Sequence, residues 1–320
     1  MAFMEDTAPW PGGRVSERVL CIRANNPSPM TYTGTNTWIV AEPGARSCVV
    51  IDPAPEGAHI ERVLEVCKEH GWSIGAIAAT HCHPDHINGI PQLAAATGAP
   101  VYAENPERVV SLLAGAEGDT TEAEDGTGLE AVLDRAGSRR MELPTGEERT
   151  QMRGLEGIEI VGLCPGRFCP FEGASQFEVV PLPGHSSDSV GLLLCEEQAL
   201  FTGDVLFRHG PTVVLYPDGD LARYLDSLDK LEALVRGGQA CRFYPAHGYP
   251  IEEPLQIIEA TRQHRMERLQ QVRDAIAQGT PARPDALFDA VYAGVDPRLK
   301  PASVRSIQAQ LEYLRGTRSR

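Results

Sequence analysis

No stretch of this 320-residue chain approaches the ~20 consecutive apolar residues that cross a bilayer, so a membrane protein is not expected. Met1 to Arg14 carries Glu5, Asp6, Pro9 and Pro11 where a secretory leader would have an apolar core, which makes a cytoplasmic location the expectation. Basic charge is scarce: 29 Lys and Arg stand against 44 Asp and Glu, for a net charge of −15. That balance argues against broad binding of polyphosphates, whose affinity comes largely from Lys and Arg. The deficit is uneven, because residues 255–320 hold 11 basic against 7 acidic side chains, +4, and the remainder carries −19. No Gly-X-Ser-X-Gly elbow is present, so a nucleophilic serine of that kind is not expected. The eight cysteines are scattered, several within apolar stretches such as Ser47-Cys48-Val49-Val50, and read as reduced thiols and not a disulfide framework. Cys164 and Cys169 form the one close pair, but no second Cys or His pair stands nearby to complete a metal knuckle, so structural or incidental roles are expected for them.

What is present has an alternating α/β pattern. Asn36–Val40 and Ser47–Ile51 read as two strands joined by a Glu42-Pro43-Gly44 turn, delivering Asp52 to a strand end. Residues 58–70 space Ile60, Val63, Leu64 and Cys67 at helical intervals before Gly71. A strand over 76–80 and a helix over 90–97 follow. Between 107 and 172 the pattern changes, with 14 acidic against 7 basic residues, and this segment reads as an insertion whose polar middle, 115–128, is expected to be mobile in part and to be followed by a helix near Leu129–Leu133. Strand patterns resume at 177–182, 189–194, 199–202 and 242–244, with an amphipathic helix over 221–235. Beyond Pro254 three helical runs, 255–278, 284–292 and 301–314, suggest a separate C-terminal module.

The chain has nine histidines, and three of them fall within the six residues His81-Cys82-His83-Pro84-Asp85-His86. Four potential ligands in so short a loop exceed what one tetrahedral centre takes and divide naturally between two ions. His185, Asp204 and His247 each follow a predicted strand, with glycine or a small residue adjacent that lets the backbone approach a crowded centre. Cys82 is expected to point away from the ligands and pack.

With these residues in place the chain resembles the metallo-β-lactamase fold superfamily, whose pattern is Thr-His-X-His-X-Asp-His followed by separate His, Asp and His. Thr80 to His86, Pro183-Gly184-His185, Thr202-Gly203-Asp204 and Ala246-His247-Gly248 match it at every metal position, with Asp52 as the early acidic residue. The resemblance implies an α/β protein, an αβ/βα sandwich with the site at one edge between the sheets. It implies His81, His83 and His185 on one ion, Asp85, His86 and His247 on a second, Asp204 bridging, and Asp52 orienting a ligand. Asn26 to Thr37 looks like the corresponding segment of the β-lactamase-like protein 2 branch, which contains an endoribonuclease and fungal polyketide-releasing thioesterases. The helical tail, with His264-Arg265, resembles that branch's winged-helix-like C-terminal domain. The implied division is a catalytic domain over 15–253, carrying the insertion at about 107–172, and a C-terminal module over 254–320.

Two dications held by these residues would lower the pKa of a bound water toward neutrality, so that no protein nucleophile would be required and Asp85 or Asp204 could take the proton. Zinc is the first expectation from the His/Asp set, although the same donors hold iron or manganese. The acidic main domain points to a hydrolase acting on a small or carrier-bound acyl ester or thioester. The +4 tail and the branch resemblance keep cleavage of single-stranded RNA as the alternative. A non-enzymatic binding scaffold would be expected to have lost a ligand position, and none is missing. Asn36 and His209 are candidate substrate contacts.

Overall fold

A computed structural model describes residues 3, 8–116, 151–154, 157–292 and 294–318. The expected mobile middle of the insertion beyond residue 116, and the helix near Leu129–Leu133, lie outside the described residues.

Strands β1 (Gly13–Arg14), β2 (Val19–Arg23), β3 (Asn36–Val40), β4 (Ser47–Ile51), β5 (Ser73–Ala78), β6 (Val101–Ala103), β7 (Gln151–Gly154) and β8 (Ile158–Gly162) form one sheet in the order β1-β2-β3-β4-β5-β6-β8-β7. A second sheet, β13-β12-β11-β10-β9, is built from β9 (Gly166–Phe168), β10 (Phe177–Pro181), β11 (Val190–Leu194), β12 (Ala199–Gly203) and β13 (Arg242–Pro245). Strand residues alternate between faces, as the two-residue period requires. Trp38, Val40, Val49 and Ile51 face Phe177, Val179, Leu192, Phe201 and Tyr244 between the sheets, whereas Ile39, Cys48 and Val50 face outward. A single helical turn, α2 (Pro84–Ile87), follows β5, and on the outer face of the first sheet lie α1 (Ala58–Glu69), α3 (Ile90–Thr97) and α4 (Pro106–Ala116). The layers are therefore helix, sheet, sheet, helix, the sandwich that the resemblance implied.

The strand expected at 76–80 begins earlier and ends earlier. Pairing with β4 shifts by one residue between Cys48 and Val49, which leaves Gly75 as the extra residue of a bulge and sends Ile74 and Ala76 to opposite faces. A Cβ at Gly75 would sit 2.6 Å from the Phe171 ring, so the bulge also needs glycine's small profile. Thr80 leaves the ladder because its N–H donates to Asp52 Oδ1 at 2.8 Å.

The far layer holds α5 (Leu221–Arg236), α6 (Pro254–Ala277), α7 (Pro284–Val291) and α8 (Lys300–Arg318). Asp220 caps α5, its side chain accepting from the N–H groups of Ala222 and Arg223. Leu228 and Leu231 of α5, Ile257 and Leu269 of α6, Leu287 of α7 and Ile307 of α8 share one core with Leu200 and Phe243 of the second sheet. The three C-terminal helices are thus continuous with the core of the sandwich, and no strand follows them among the described residues. The helical part of the expected winged-helix-like module is what the fold contains. The flanks of the expected insertion likewise belong to the framework: α4 covers the first sheet, and β8 pairs in parallel with β6. No helix among the described residues is long and apolar enough to cross a membrane.

Candidate metal centre

β4 runs parallel to β5 and β12 runs parallel to β13, so their C-terminal ends emerge at common edges. Asp52 follows β4, Thr80 to His86 follow β5, Asp204 follows β12 and His247 follows β13. Three cross-links close this edge: Val190 N–H to the Thr80 carbonyl at 2.8 Å, Asn36 N–H to the Ala246 carbonyl at 2.7 Å, and Ala246 N–H to the Gly203 carbonyl at 3.0 Å. At this edge Gly203 has φ of +53°, and a Cβ there would meet the Thr80 hydroxyl at 2.5 Å, which accounts for glycine before Asp204.

The seven side chains singled out as ligands come together in two adjoining groups, His81, His83 and His185 in one and Asp85, His86, Asp204 and His247 in the other. In the first, His83 Nδ1 lies 3.0 Å from His81 Nε2 and 2.9 Å from His185 Nε2. Nitrogens at the tetrahedral zinc distance of ~2.0–2.1 Å would be about 3.3 Å apart, so the trio needs only a slight expansion to accept an ion. In the second, Asp204 Oδ1 lies 3.4 Å from His86 Nε2 and 3.3 Å from His247 Nε2, and Asp85 Oδ2 lies 3.3 Å from His247 Nε2. The other oxygen of Asp204, Oδ2, is 3.6 Å from His185 Nε2 in the first group. His86 Nε2, His247 Nε2 and Asp204 Oδ1 are all buried without a hydrogen-bond partner. Buried polar atoms left unmatched are expensive in a folded chain, and three converging on one point fit an ion placed there.

The remote ring nitrogens are held from behind. His86 Nδ1 is 3.1 Å from Asp52 Oδ2, His185 Nδ1 is 2.8 Å from the Val213 carbonyl, and His247 Nδ1 is 3.3 Å from the Gly34 carbonyl. A carbonyl can only accept, so His185 and His247 each carry a proton on Nδ1, which leaves Nε2 as the atom available to an ion. Asp52 also accepts from the Thr80 N–H and hydroxyl, both at 2.8 Å. Its φ of +54°, a conformation Asp tolerates better than most residues, turns the carboxylate under the loop.

The two groups differ electrostatically. Burial and the neighbouring imidazoles hold His81 well below its ordinary range, and burial and His185 push His83 down to about 4, so these two rings are neutral and ready to coordinate. In the second group burial opposes charge but is outweighed. Asp204 and Asp85 raise His247 to about 9, His86 is raised well above its ordinary value, and the same imidazoles hold Asp85 down to about 2 and Asp204 well below the carboxylate range. Protons here occupy the place a dication would take.

The two candidate substrate contacts separate. Asn36 is fully buried, and its amide donates to the Pro245 and Gly248 carbonyls at 3.0 and 2.8 Å, so it braces the His247 turn from beneath. Both of its side-chain N–H groups are engaged in this bracing, and Oδ1, buried without a hydrogen-bond partner, is the atom it retains for a contact. His209 is partly exposed, lies edge-on to Tyr249 and packs against Gly248, placing it beside the second group. Cys82 is fully buried in the outer core of the first sheet, as expected. Arg108 had no role in the sequence reading: from α4 it pairs with Asp218 at 2.7 Å and bonds Ser187 at 2.8 Å, stiffening the turn after His185.

The sequence model of the metallo-beta-lactamase superfamily matches residues 30–247, spanning every one of these side chains. The chain belongs to the metallo-β-lactamase superfamily. Among curated relatives of this superfamily chain, a beta-lactamase-like protein 2 homolog of Drosophila melanogaster is 29% identical over 94% of this chain and 89% of its own length. An atrochrysone carboxyl ACP thioesterase of Aspergillus fumigatus is 30% identical over 79% of this chain, which spans 64% of the length of that thioesterase. Solved structures share the fold: a metallo-beta-lactamase family protein of Thermus thermophilus superimposes with a TM-score of 0.67 at 21% identity, covering 95% of both chains. A beta-lactamase domain protein of Burkholderia ambifaria gives 0.68 at 21% identity, over 97% of this chain and 91% of its own. The superfamily consists of metallo-hydrolases, and the His/Asp clusters of this member are suited to divalent metals.

Proposed function

We propose that this chain is a dinuclear metallo-hydrolase acting on a carrier-bound acyl thioester or ester. The observation that carries the reading is the orientation of Asp204, whose two oxygens face different groups, one toward His86 and His247 and the other toward His185. His81, His83 and His185 would hold one ion, Asp85, His86 and His247 the other, and Asp204 both. Zinc suits a three-imidazole site. Two such ions, when bound, polarise a carbonyl oxygen and bring the pKa of a water toward neutrality.

The chain's own residues supply the rest. Asp85 and Asp204, held ionised, are acceptors for the proton that an attacking water gives up, and Asp85, 29% exposed, can pass it to solvent. Asp52 orients His86. His209, partly exposed beside Gly248, would be the substrate contact. The acyl class is supported by the thioesterase among the relatives and by the −19 balance outside the tail, which disfavours a polyphosphate strand. The test is turnover of acyl-carrier-protein and coenzyme A thioesters, esters and single-stranded RNA by zinc-loaded protein. Thioester or ester turnover is expected, falling more than about 100-fold in His83→Ala, beyond the 10–100-fold typical of groups behind a ligand. RNA cleavage without acyl turnover would overturn the substrate class, and a metal:chain ratio near zero would overturn the dinuclear reading.

A further inference from the structure

The segment from Asp204 to Asp220 links β12 to α5 without forming a strand or helix, yet it carries two atoms that the site depends on. At its start is Asp204 itself, and just past its middle is the Val213 carbonyl that fixes His185 Nδ1 at 2.8 Å. A loop lacking a hydrogen-bonded ladder holds such atoms in place only if something else clamps it. Two side chains from the far helical layer do so. Tyr224 of α5 donates its hydroxyl to the Val205 carbonyl at 2.7 Å, and Arg265 of α6 donates Nη2 to the Thr212 carbonyl. Thr212 Oγ1 in turn lies 3.3 Å from His185 Nδ1.

Arg265 is an unusual residue for a packing role. It is 5% exposed, it makes no ion pair with a carboxylate among the described residues, its Nε has no hydrogen-bond partner, and its guanidinium sits over the Tyr224 ring at 5.3 Å. Burying a cation without a counter-charge is unfavourable, and an apolar side chain of similar volume would fill the same space at less expense. What an apolar side chain would not provide is the donor that holds Thr212.

We propose that Arg265 is a positioning residue for His185, so that the C-terminal helices set the metal affinity of the three-histidine group through the 204–220 loop. This rests on the reading that His81, His83 and His185 hold an ion. Arg265 fixes Thr212, the fixed Thr212-Val213 segment orients the His185 ring, and the ring presents Nε2 beside His83. The catalytic groups are untouched by Arg265 directly, so the signature is metal affinity and not merely rate.

The test is competition of Zn2+ between the full chain and a chromophoric chelator, in parallel with thermal unfolding of the metal-free protein. Wild type is expected to take up two ions. Arg265→Met, which keeps volume but removes the donors, is expected to weaken one of the two ions by 10- to 100-fold, as removal of a group behind a ligand does, and to leave the other unchanged. Thr212→Val is expected to weaken the same ion by a smaller factor. The double variant is expected to lose less than the product of the two single losses, because both act along one path. Wild-type affinity for both ions in Arg265→Met, or strictly multiplicative losses, would overturn the proposal while leaving the metal reading intact. Where Arg265→Met does not fold, Thr212→Val carries the test, and wild-type affinity in it overturns the proposal. Absence of zinc from wild type would instead fail the underlying metal reading.

Discussion

Replacing Asp52 by Asn isolates charge and proton position with little change of shape. Asn tolerates the left-handed backbone at this position about as well as Asp, so the φ of +54° introduces no new strain. The amide oxygen can still accept from the Thr80 N–H, and the Thr80 hydroxyl oxygen, 2.8 Å from Asp52 Oδ2, can accept from the new NH2 group. His86 has no such freedom. Its Nδ1, 3.1 Å from Asp52 Oδ2, would meet an NH2 group, and relieving the donor–donor clash requires giving up the Nδ1 proton and leaving the remaining one on Nε2, the atom that faces Asp204 and Asp85 and that an ion would need. The variant should therefore be damaged in two measurable ways. Removing one partner of a buried pair costs about 3–5 kcal/mol, and Asp85 and Asp204 remaining beside His86 place the loss at the low end, about 3 kcal/mol. At roughly 2–4 °C per kcal/mol for a large domain, the metal-free protein should melt about 6–12 °C lower. Zinc affinity at the Asp/His group should fall about 10–100-fold. Calorimetry of chelator-treated protein reads the first effect and chelator competition the second. An Asp52→Asn protein that melts with wild type and binds both ions normally would refute the claim that this carboxylate fixes the His86 tautomer.

Two further predictions concern the framework. Burial holds His59 down to about 4, and because Thr37 Oγ1 donates to the Asp52 carbonyl, neutral His59 must donate Nε2–H to Thr37 Oγ1 at 2.8 Å. The unfolded chain, with the ordinary value of 6.5, takes up this proton first, so the stability contribution is whole above pH 6.5 and is lost as pH falls toward 4. His59→Gln should flatten the urea-measured stability profile over that window by about 1–2 kcal/mol, allowing for partial solvent access, and a profile parallel to wild type would count against this. Gly184 has φ of +137°, and a Cβ there would lie 2.3 Å from Tyr224 N and Cα, whereas Gly238, at φ of +70°, has open space around it. Gly238→Ala should cost about 1–2 kcal/mol from backbone strain alone, Gly184→Ala clearly more because α5 must move, and equal losses in equilibrium unfolding would show that the contact with α5 carries no weight.

Much of the local structure was legible because it is encoded locally. The β3–β4 hairpin has the limits that its Pro-Gly turn and flanking apolar runs predicted, and α3 spans the residues expected of it. The candidate ligands were legible for a related reason. Each is a chemically distinctive side chain at the end of a strand, and strand ends leave a mark in the chain as apolar runs that stop at small residues. The bulge at Gly75 left no such mark, since one glycine in a strand fits several conformations.

Asn36 shows the limit most clearly: its place in the segment Asn26 to Thr37 suggested a cleft residue, and only the packing of β3 against the His247 turn revealed where its amide goes. The carbonyls of Gly34 and Val213 that orient His247 and His185 were invisible in the same way, because every residue carries a carbonyl and only chain crossing selects one. The continuity of the C-terminal helices with the sandwich core was equally hidden, since an apolar helical stripe states that it will be buried without saying against what. By itself the sequence determined which side chains can bind metal and which strands end at them. The tertiary structure decided how those ends meet and which backbone and helical groups hold them, because such contacts join residues far apart in the chain and depend on relative position more than on residue type.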